Sequence, residues 1–581
     1  MKRTLLLNAL IALLAALLFI PGIGSVRLFD WDEINFAESA REMLVTGDWF
    51  NVRINFEPFW EKPPLFIWAQ ALSMKVFGVN EFAARFPNAV MGIVTLLILF
   101  NIGRRTEDER FGLLWAMMYG VSFLPFFYFK SGIIDPWFNV FIFLGIYFFS
   151  RYADPSAKAH RTRHAALSAF FIGLATLTKG PVAILVFVLT FAVWLAARRF
   201  SFSFRWKDVA VFVAVLALAG GSWFIFLAAS GHADVISDFI NYQVRLFRTK
   251  DAGHGGFLLY HFVILLLGVV PASVFALPAL SRRNTRHEGE RRTVSLLGWM
   301  VCSLAVVLVL FTIVRTKIVH YSSFCYFPIS FLAAYSASRM IDGRMKFRRW
   351  QGVMLSVIAG AFALVLAALV FFDSFKDRLV PLVHDPFAVS CMQATADWKG
   401  FEALAGVVLL AVTVWFSIVF RRRRSPAAFV PLAAGHLFFA MTAILSAAPQ
   451  VEKYSQASAI DFYISLQGED CYVKPAYFKS YAHYFYTMRE PQNSCDDFDR
   501  LCRGPIDKPC YFVVKDIPSE VARLRDDAPE AELLDRGPGF LFFVRKNHPQ
   551  ATQDEDGKQE QCGVPEDGQE DVDPVGAHGE R

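Results

Sequence analysis

The densest run of chemically capable side chains is LFDWDEINFAESAREMLVTGDWFNVRINFEPFWEKPPLFIW, from Leu28 to Trp68, which holds Asp30, Asp32, Glu33, Glu38, Glu61 and Lys62. Four other stretches carry isolated ionisable groups. Asp135 stands in KSGIIDPW and Lys179 in LTKGP; Arg245, Arg248, Lys250, Asp251 and His254 fall between Gly231 and Gly256; VRTKIVHYS supplies Arg315, Lys317, His320 and Tyr321. Carboxylates can deprotonate an incoming hydroxyl or hold a metal. Lysine and arginine neutralise phosphate oxygens, arginine through a bidentate fork. Two separated acidic points with several cations point to a phosphate-linked lipid donor meeting a hydroxyl or phosphate acceptor. Each residue alone has a plainer reading. Lysine and arginine snorkel at membrane boundaries, Asp135 followed by Pro136 fits a helix N-cap, and Asp32 before an amphipathic run fits one too.

The elements that must position these groups are membrane spans. The chain has 581 residues, 55% hydrophobic, 15% aromatic and 19% charged, with a mean hydropathy of +0.39. That is more apolar surface than a soluble fold of this size buries, so the fold class is a polytopic α-helical membrane protein. A span takes about 20 apolar residues, and about thirteen candidates run near 5–23, 84–103, 111–129, 134–150, 164–178, 181–197, 208–229, 257–280, 294–314, 323–340, 352–372, 402–420 and 426–447. With the N-terminus in the cytoplasm, every second loop is cytoplasmic. These loops are GRRTEDER, RYADPSAKAHRTRH, AARRFSFSFRWK, SRRNTRHEGERR, DGRMKFRRWQ and RRRRSP, each rich in lysine and arginine as the positive-inside rule requires. The net charge of +6 is thus a topology signal and gives no reason to invoke nucleic acid. The first span lacks an A-x-A-like site and reads as an anchor rather than a cleaved signal peptide. PPLFIWAQALSMKVFG is too short to cross comfortably and reads as a helix on the outer membrane surface. The loops bearing Asp32, Asp135, Lys179, Arg245 and Lys317 then share the outer face.

Three regions follow: a transmembrane domain over 1–448 with an outer loop at 24–83, a periplasmic α/β domain over 449–547, and a disordered acidic tail over 548–581. In the second, the β-prone runs CYVKPAY, CYFVVK and GFLFFVRK alternate with the helical PSEVARLRDD. Cys471, Cys495, Cys502, Cys510 and Cys562 gather in this terminal part, which predicts disulfides in an oxidising compartment without fixing their connectivity.

DWDEINFAESAREMLVTGDWF followed by FWEKPPLFIWAQALSMKVFGVNEFAARFPNAV resembles the first outer loop of the polyprenyl-phosphate-dependent membrane glycosyltransferases of the GT-C fold. These include the protein O-mannosyltransferases and the lipid A aminoarabinose transferases. IIDPWFNVFIF, TLTKGPVAIL and TKIVHYSSFCYFPISFLAAY resemble later family segments, and the likeness covers roughly residues 1–345. The resemblance implies an inverting glycosyltransferase with an undecaprenyl-phosphate sugar donor and a lipid A, glycan or protein acceptor in the bacterial inner membrane. It implies Asp32 as principal catalytic carboxylate and Asp135 as the second. The implied substrate-binding set is Glu33, Glu61, Lys62, Lys179, Arg245, His254, Lys317 and Tyr321. Two departures stand out. Asn35 replaces the arginine found three residues after the catalytic aspartate, and NYQVRLF lacks the family's outer-loop histidine. The metal is left unassigned on that account, although a divalent ion is compatible with the carboxylates. The competing function class is a transporter or flippase of a lipid-linked or anionic solute. That class expects ionisable groups near the midplane in broken helices, with Gly180-Pro181 as the one such break.

Overall fold

In the computed structural model, which describes residues 2–59, 61–154, 160–231, 233–248, 256–281 and 291–547, each of the thirteen apolar stretches carries a helix or a bent helix pair. Among the described residues seven helices are long and apolar enough to cross a bilayer, and two bent pairs raise the number to nine. The other four stretches form Asp135–Tyr152, Arg161–Lys179, Val182–Ala197 and Tyr326–Ile341. They are too short or too polar at their ends to meet that standard, so up to nine of the thirteen expected spans meet it among the described residues. His254 and the acidic tail lie outside the described residues.

The chain opens with α1 (Lys2–Phe19), then α2 (Asp32–Thr46), a hairpin of β1 (Arg53–Ile54) and β2 (Glu57–Pro58), and α3 (Leu65–Phe77). Next come α4 (Glu81–Thr106), the bent pair α5 (Glu109–Gly120) and α6 (Phe123–Phe129), α7 (Asp135–Tyr152) and α8 (Arg161–Lys179). Local chemistry sets the boundaries. The Asn80 side chain accepts the Ala83 N–H at the start of α4, and Asp108 accepts the Phe111 N–H at the start of α5, each satisfying an amide the helix leaves unpaired. Gly103 and Gly112 let α4 and α5 touch, since a Cβ on Gly103 would sit 2.7 Å from the Gly112 Cα. The high aromatic content fills the bundle: Trp115 packs among Phe111, Phe143 and Phe331.

The bundle has two unlike ends. At one, α1 begins and α4 ends, and ion pairs join Arg3 to Glu109, Arg339 to Glu107 and Arg110 to Asp342. At the other, α4 begins beside the loop that carries α2. The apolar spacing of α2 predicts one buried face, with Glu33, Glu38, Arg41 and Glu42 on others. Instead the helix is buried on every side from Glu33 to Met43. The reason is a second layer. Ile34, Phe36, Ala37, Ala40 and Met43 share one core with Phe66 and Ile67 of α3 and with Val513 and Phe542 of a sheet near the C-terminus.

That sheet has β3 (Tyr472–Ala476), β4 (Cys510–Lys515), β5 (Glu532–Gly537) and β6 (Phe540–Arg545) in the order β3-β4-β6-β5. β3 and β4 are parallel and the other pairings antiparallel. The three expected strands are present, as is the helix Pro518–Asp527. β5 escaped the sequence reading because ELLDRG is a polar, bulged edge strand with little apolar alternation. Among the described residues the expected disulfides are not formed. Cys471, Cys502 and Cys510 are buried free thiols, because these side chains serve as small apolar core residues, Cys502 and Cys510 together with Cys495 under one face of the sheet.

Candidate active site

The loop end of the bundle gathers most of the sequence-selected residues. Asp32 is the first residue of α2, preceded by Trp31 in an unusual backbone conformation with φ of 76° and ψ of −107°. Such a conformation costs a bulky residue on the order of 1–3 kcal/mol and concentrates at functional sites. The expected N-cap role is not taken, since no side chain caps α2. The Asp32 carboxylate, 46% exposed, stands 3.4 Å from His320 Nε2, while it is Asp30 that accepts the N–H groups of Trp31 and Tyr481. His320 Nδ1 lies 2.9 Å from the Tyr128 hydroxyl.

Asp135 begins α7 and is 2% exposed. It caps no helix either. Its Oδ1 accepts Lys179 Nζ at 2.7 Å and the Ser323 hydroxyl at 3.2 Å. Lys179 ends α8 where Gly180 adopts a positive φ of 93° and stops the helix. The single Ser323 proton is shared with the His320 carbonyl, the nearer acceptor at 2.6 Å, and its oxygen accepts from Asn139 at 2.9 Å. Asp32, His320, Ser323, Asp135 and Lys179 therefore stand as neighbours in one polar cluster. His320 and Ser323 sit on the 3-10 segment Val319–Cys325; the sequence offered His320 as one cation among several, and gave Ser323 no signal.

Glu33 serves a different purpose from the substrate contact that the resemblance implies. It is 1% exposed and forks onto Arg85, with Nε to Oε1 at 3.1 Å and Nη2 to Oε2 at 2.8 Å. It also accepts the N–H groups of Phe29 and Gly132. Arg85 in turn donates to the carbonyls of Ile23, Val26 and Arg27. Every polar atom of the pair is engaged, so Glu33 clamps the loop before Asp32 to the turn before Asp135. Lys317 is likewise committed. Its Nζ donates to the carbonyls of Phe311, Thr312 and Val314 at 2.7–2.8 Å. An ammonium has three donors, so Lys317 closes the end of the helix Arg291–Ile313 rather than facing a ligand.

Glu61 and Lys62 stand 4.0 Å apart and are partly exposed. The Glu61 charge acts on Tyr481, which packs edge-on against Trp31, and Lys479 lies 5.2 Å over both rings. Tyr321 follows His320 and packs against Phe311. Arg245 is exposed on the helix Ala233–Arg248. No group of three or more His, Cys, Asp or Glu side chains that could hold a metal occurs among the described residues.

Beneath Asp32 a polar network fixes α2. Glu38 forks onto Arg41, which donates to the Arg489 carbonyl. Glu42 accepts the N–H groups of Asn55 and Phe56, and Arg489 donates to Asn55. Burial, and next the Glu38 charge, push the Glu42 carboxyl up from 4.5 to about 8.

A bundle with an acidic loop at one end, carboxylates at the starts of α2 and α7 and a small sheet packed on that loop is similar to the GT-C architecture. The chain is similar in sequence and in fold to the GT-C superfamily of polyprenyl-phosphate-sugar membrane glycosyltransferases. Residues 61–223 match the family model described as dolichyl-phosphate-mannose-protein mannosyltransferase. The chain is similar to the undecaprenyl phosphate-alpha-4-amino-4-deoxy-L-arabinose arabinosyl transferase of Enterobacter sp., 25% identical over 361 residues that make up 61% of this chain and 63% of the relative. The same-named protein of Edwardsiella ictaluri is 28% identical over 374 residues, 62% of this chain and 64% of the relative. The match thus spans less than two thirds of either relative's length. In fold, the chain is similar to ArnT from Cupriavidus metallidurans bound to undecaprenyl phosphate, with a TM-score of 0.74, 19% identity, and coverage of 93% of this chain and 99% of that one.

Proposed function

We propose that the protein is an inverting glycosyltransferase that moves a sugar from an undecaprenyl-phosphate donor to a lipid A, glycan or protein acceptor at the outer face of the bacterial inner membrane. The observation that carries this reading is the contrast between the two linked carboxylates. Asp32 is open to solvent beside His320, whereas Asp135 is buried on Lys179. One is free to meet a substrate, and the other is held as part of the frame.

The acceptor oxygen attacks the anomeric carbon from the face opposite the polyprenyl phosphate. The new carbon–oxygen bond forms as the bond to the phosphate oxygen breaks, and that electron pair leaves with the polyprenyl phosphate. For a hydroxyl acceptor, Asp32 takes the proton. For an acceptor phosphate that is already ionised no base is needed, and Asp32 orients it through His320. Lys62 and Arg245 are the cations proposed to stand against the donor phosphate, with Tyr321 near that phosphate and Glu61 lining the donor cavity. The N-terminus lies in the cytoplasm with the arginine-rich loops, and residues 449–547 form a periplasmic domain covering the site. A transporter places its ionisable groups at the midplane; the cluster here lies at one end of the bundle, which favours transfer. The relatives' names make 4-amino-4-deoxy-L-arabinose the first sugar to try. Purified protein given undecaprenyl phosphate-linked aminoarabinose and lipid A should yield lipid A heavier by one aminoarabinose by mass spectrometry. Intact donor with every acceptor class offered would overturn the reading.

A further inference from the structure

At the end of the bundle opposite Asp32, the helices Arg349–Val370 and Ala403–Arg423 leave between them an open groove of about 880 Å³. Its floor is a close helix contact, where a Cβ on Gly352 would sit 3.0 Å from the Ser417 Cβ. Its walls are Val353 and Val357 on one helix and Val414 and Ile418 on the other. Val353 and Val357 are 62% and 64% exposed and Ile418 is 51% exposed, so these walls face lipid and not a neighbouring helix. Its mouth carries Arg349, Arg421 and Arg422.

These arginines differ from others at the same end. Arg110, Arg339 and Arg344 are paired with Asp342, Glu107 and Asp342, whereas no ion pair among the described residues includes Arg349, Arg421 or Arg422. Arginines that merely mark a cytoplasmic boundary need no groove, and an apolar groove for a passing acyl chain needs no triple positive mouth. We propose that this groove binds one anionic diacyl phospholipid, its phosphate forked by the three arginines and its acyl chains lying along the valine and isoleucine walls. Guanidinium groups grip phosphate bidentately, and basic pockets between transmembrane helices suit anionic headgroups. The continuous apolar walls select a membrane lipid over free phosphate. The site is separate from the transfer chemistry and does not depend on it.

The test is native mass spectrometry of the full-length protein released from nanodiscs of mixed phosphatidylglycerol and phosphatidylcholine. The parent should retain one phosphatidylglycerol that excess inorganic phosphate does not displace. Arg349→Gln/Arg421→Gln/Arg422→Gln should weaken retention on the order of 100-fold, three basic contacts being lost. Ser356→Trp, which fills the groove and keeps every charge, should release the lipid too. Arg198→Gln/Arg199→Gln/Arg205→Gln, in another basic loop, should retain it. The proposal is overturned if the first triple variant or Ser356→Trp holds phosphatidylglycerol as the parent does, if the control triple loses as much, or if phosphate displaces the lipid.

Discussion

His320 Nε2 stands 3.4 Å from an Asp32 carboxylate oxygen, and the carbonyl of the same histidine shares the single Ser323 hydroxyl proton with Asp135. One residue thus touches both halves of the candidate site, by side chain on one hand and by backbone on the other. Asp32→Asn keeps the size and the hydrogen-bonding edge while removing the charge. Because Asp32 caps no helix and is half exposed, thermal stability should hold while turnover falls about 100-fold or more. Parental turnover with purified enzyme and donor would remove the catalytic role.

The Asp135–Lys179 pair should behave in the opposite way. Lys179→Met leaves a buried carboxylate without its cation, and removing one partner of a buried pair costs about 3–5 kcal/mol. Asp135→Asn/Lys179→Met should recover much of that stability in thermal unfolding yet remain poorly active, since the charge next to Ser323 is gone. A stable Lys179→Met single variant would show that the pair is not what holds this end of α8.

Glu33→Gln should destabilise the protein by about 3 kcal/mol or more, because the Arg85 charge stays buried against carbonyls when its counter-charge is lost. Loss of folded protein on size-exclusion chromatography is the expected readout. A well-folded variant with a raised donor KM alone would restore the substrate-contact role to Glu33.

Lys62→Ala and Lys317→Ala separate binding from structure. Lys62→Ala should raise donor KM with little change in unfolding temperature. Lys317→Ala strips three carbonyls of their donor and should cost about 1–3 kcal/mol of stability while leaving donor KM near the parental value. The reverse pattern would exchange the two roles.

The Glu42 carboxyl, held at about 8 by burial and by Glu38, sets a pH dependence of stability. Its folded pKa lies above the unfolded 4.5, so below that value both states carry the proton and nothing is lost. As pH rises from 4.5 to about 8 the unfolded chain gives up a proton that the folded chain keeps, and stability falls. Above about 8 the loss is complete. Glu42→Gln should flatten this slope in unfolding temperatures taken from pH 5 to about 9; an unchanged slope would assign the effect to other groups.

The sequence by itself determined the helical bundle, because runs of apolar residues leave a chain no other way to satisfy its backbone in lipid. It determined that Asp32 and Asp135 begin helices, from Asp32 before an amphipathic period and Asp135 before Pro136, and it found three of the four strands of the sheet. What each charged residue does was decided by tertiary structure alone. Glu33 and Asp32 are neighbours in a motif that reads as one acidic unit, yet one is locked on Arg85 and the other faces His320. Lys317 and Lys179 both stand at helix ends, yet one is spent on carbonyls and the other on a carboxylate. Period and propensity are local, and they place a side chain on a face. Which partner waits there depends on segments distant in the chain, and for α2 the sheet near the C-terminus buries faces whose charges were expected to be solvated or paired with one another. The charge of a group follows from its composition, but its availability for chemistry follows from who else has already claimed its hydrogen bonds.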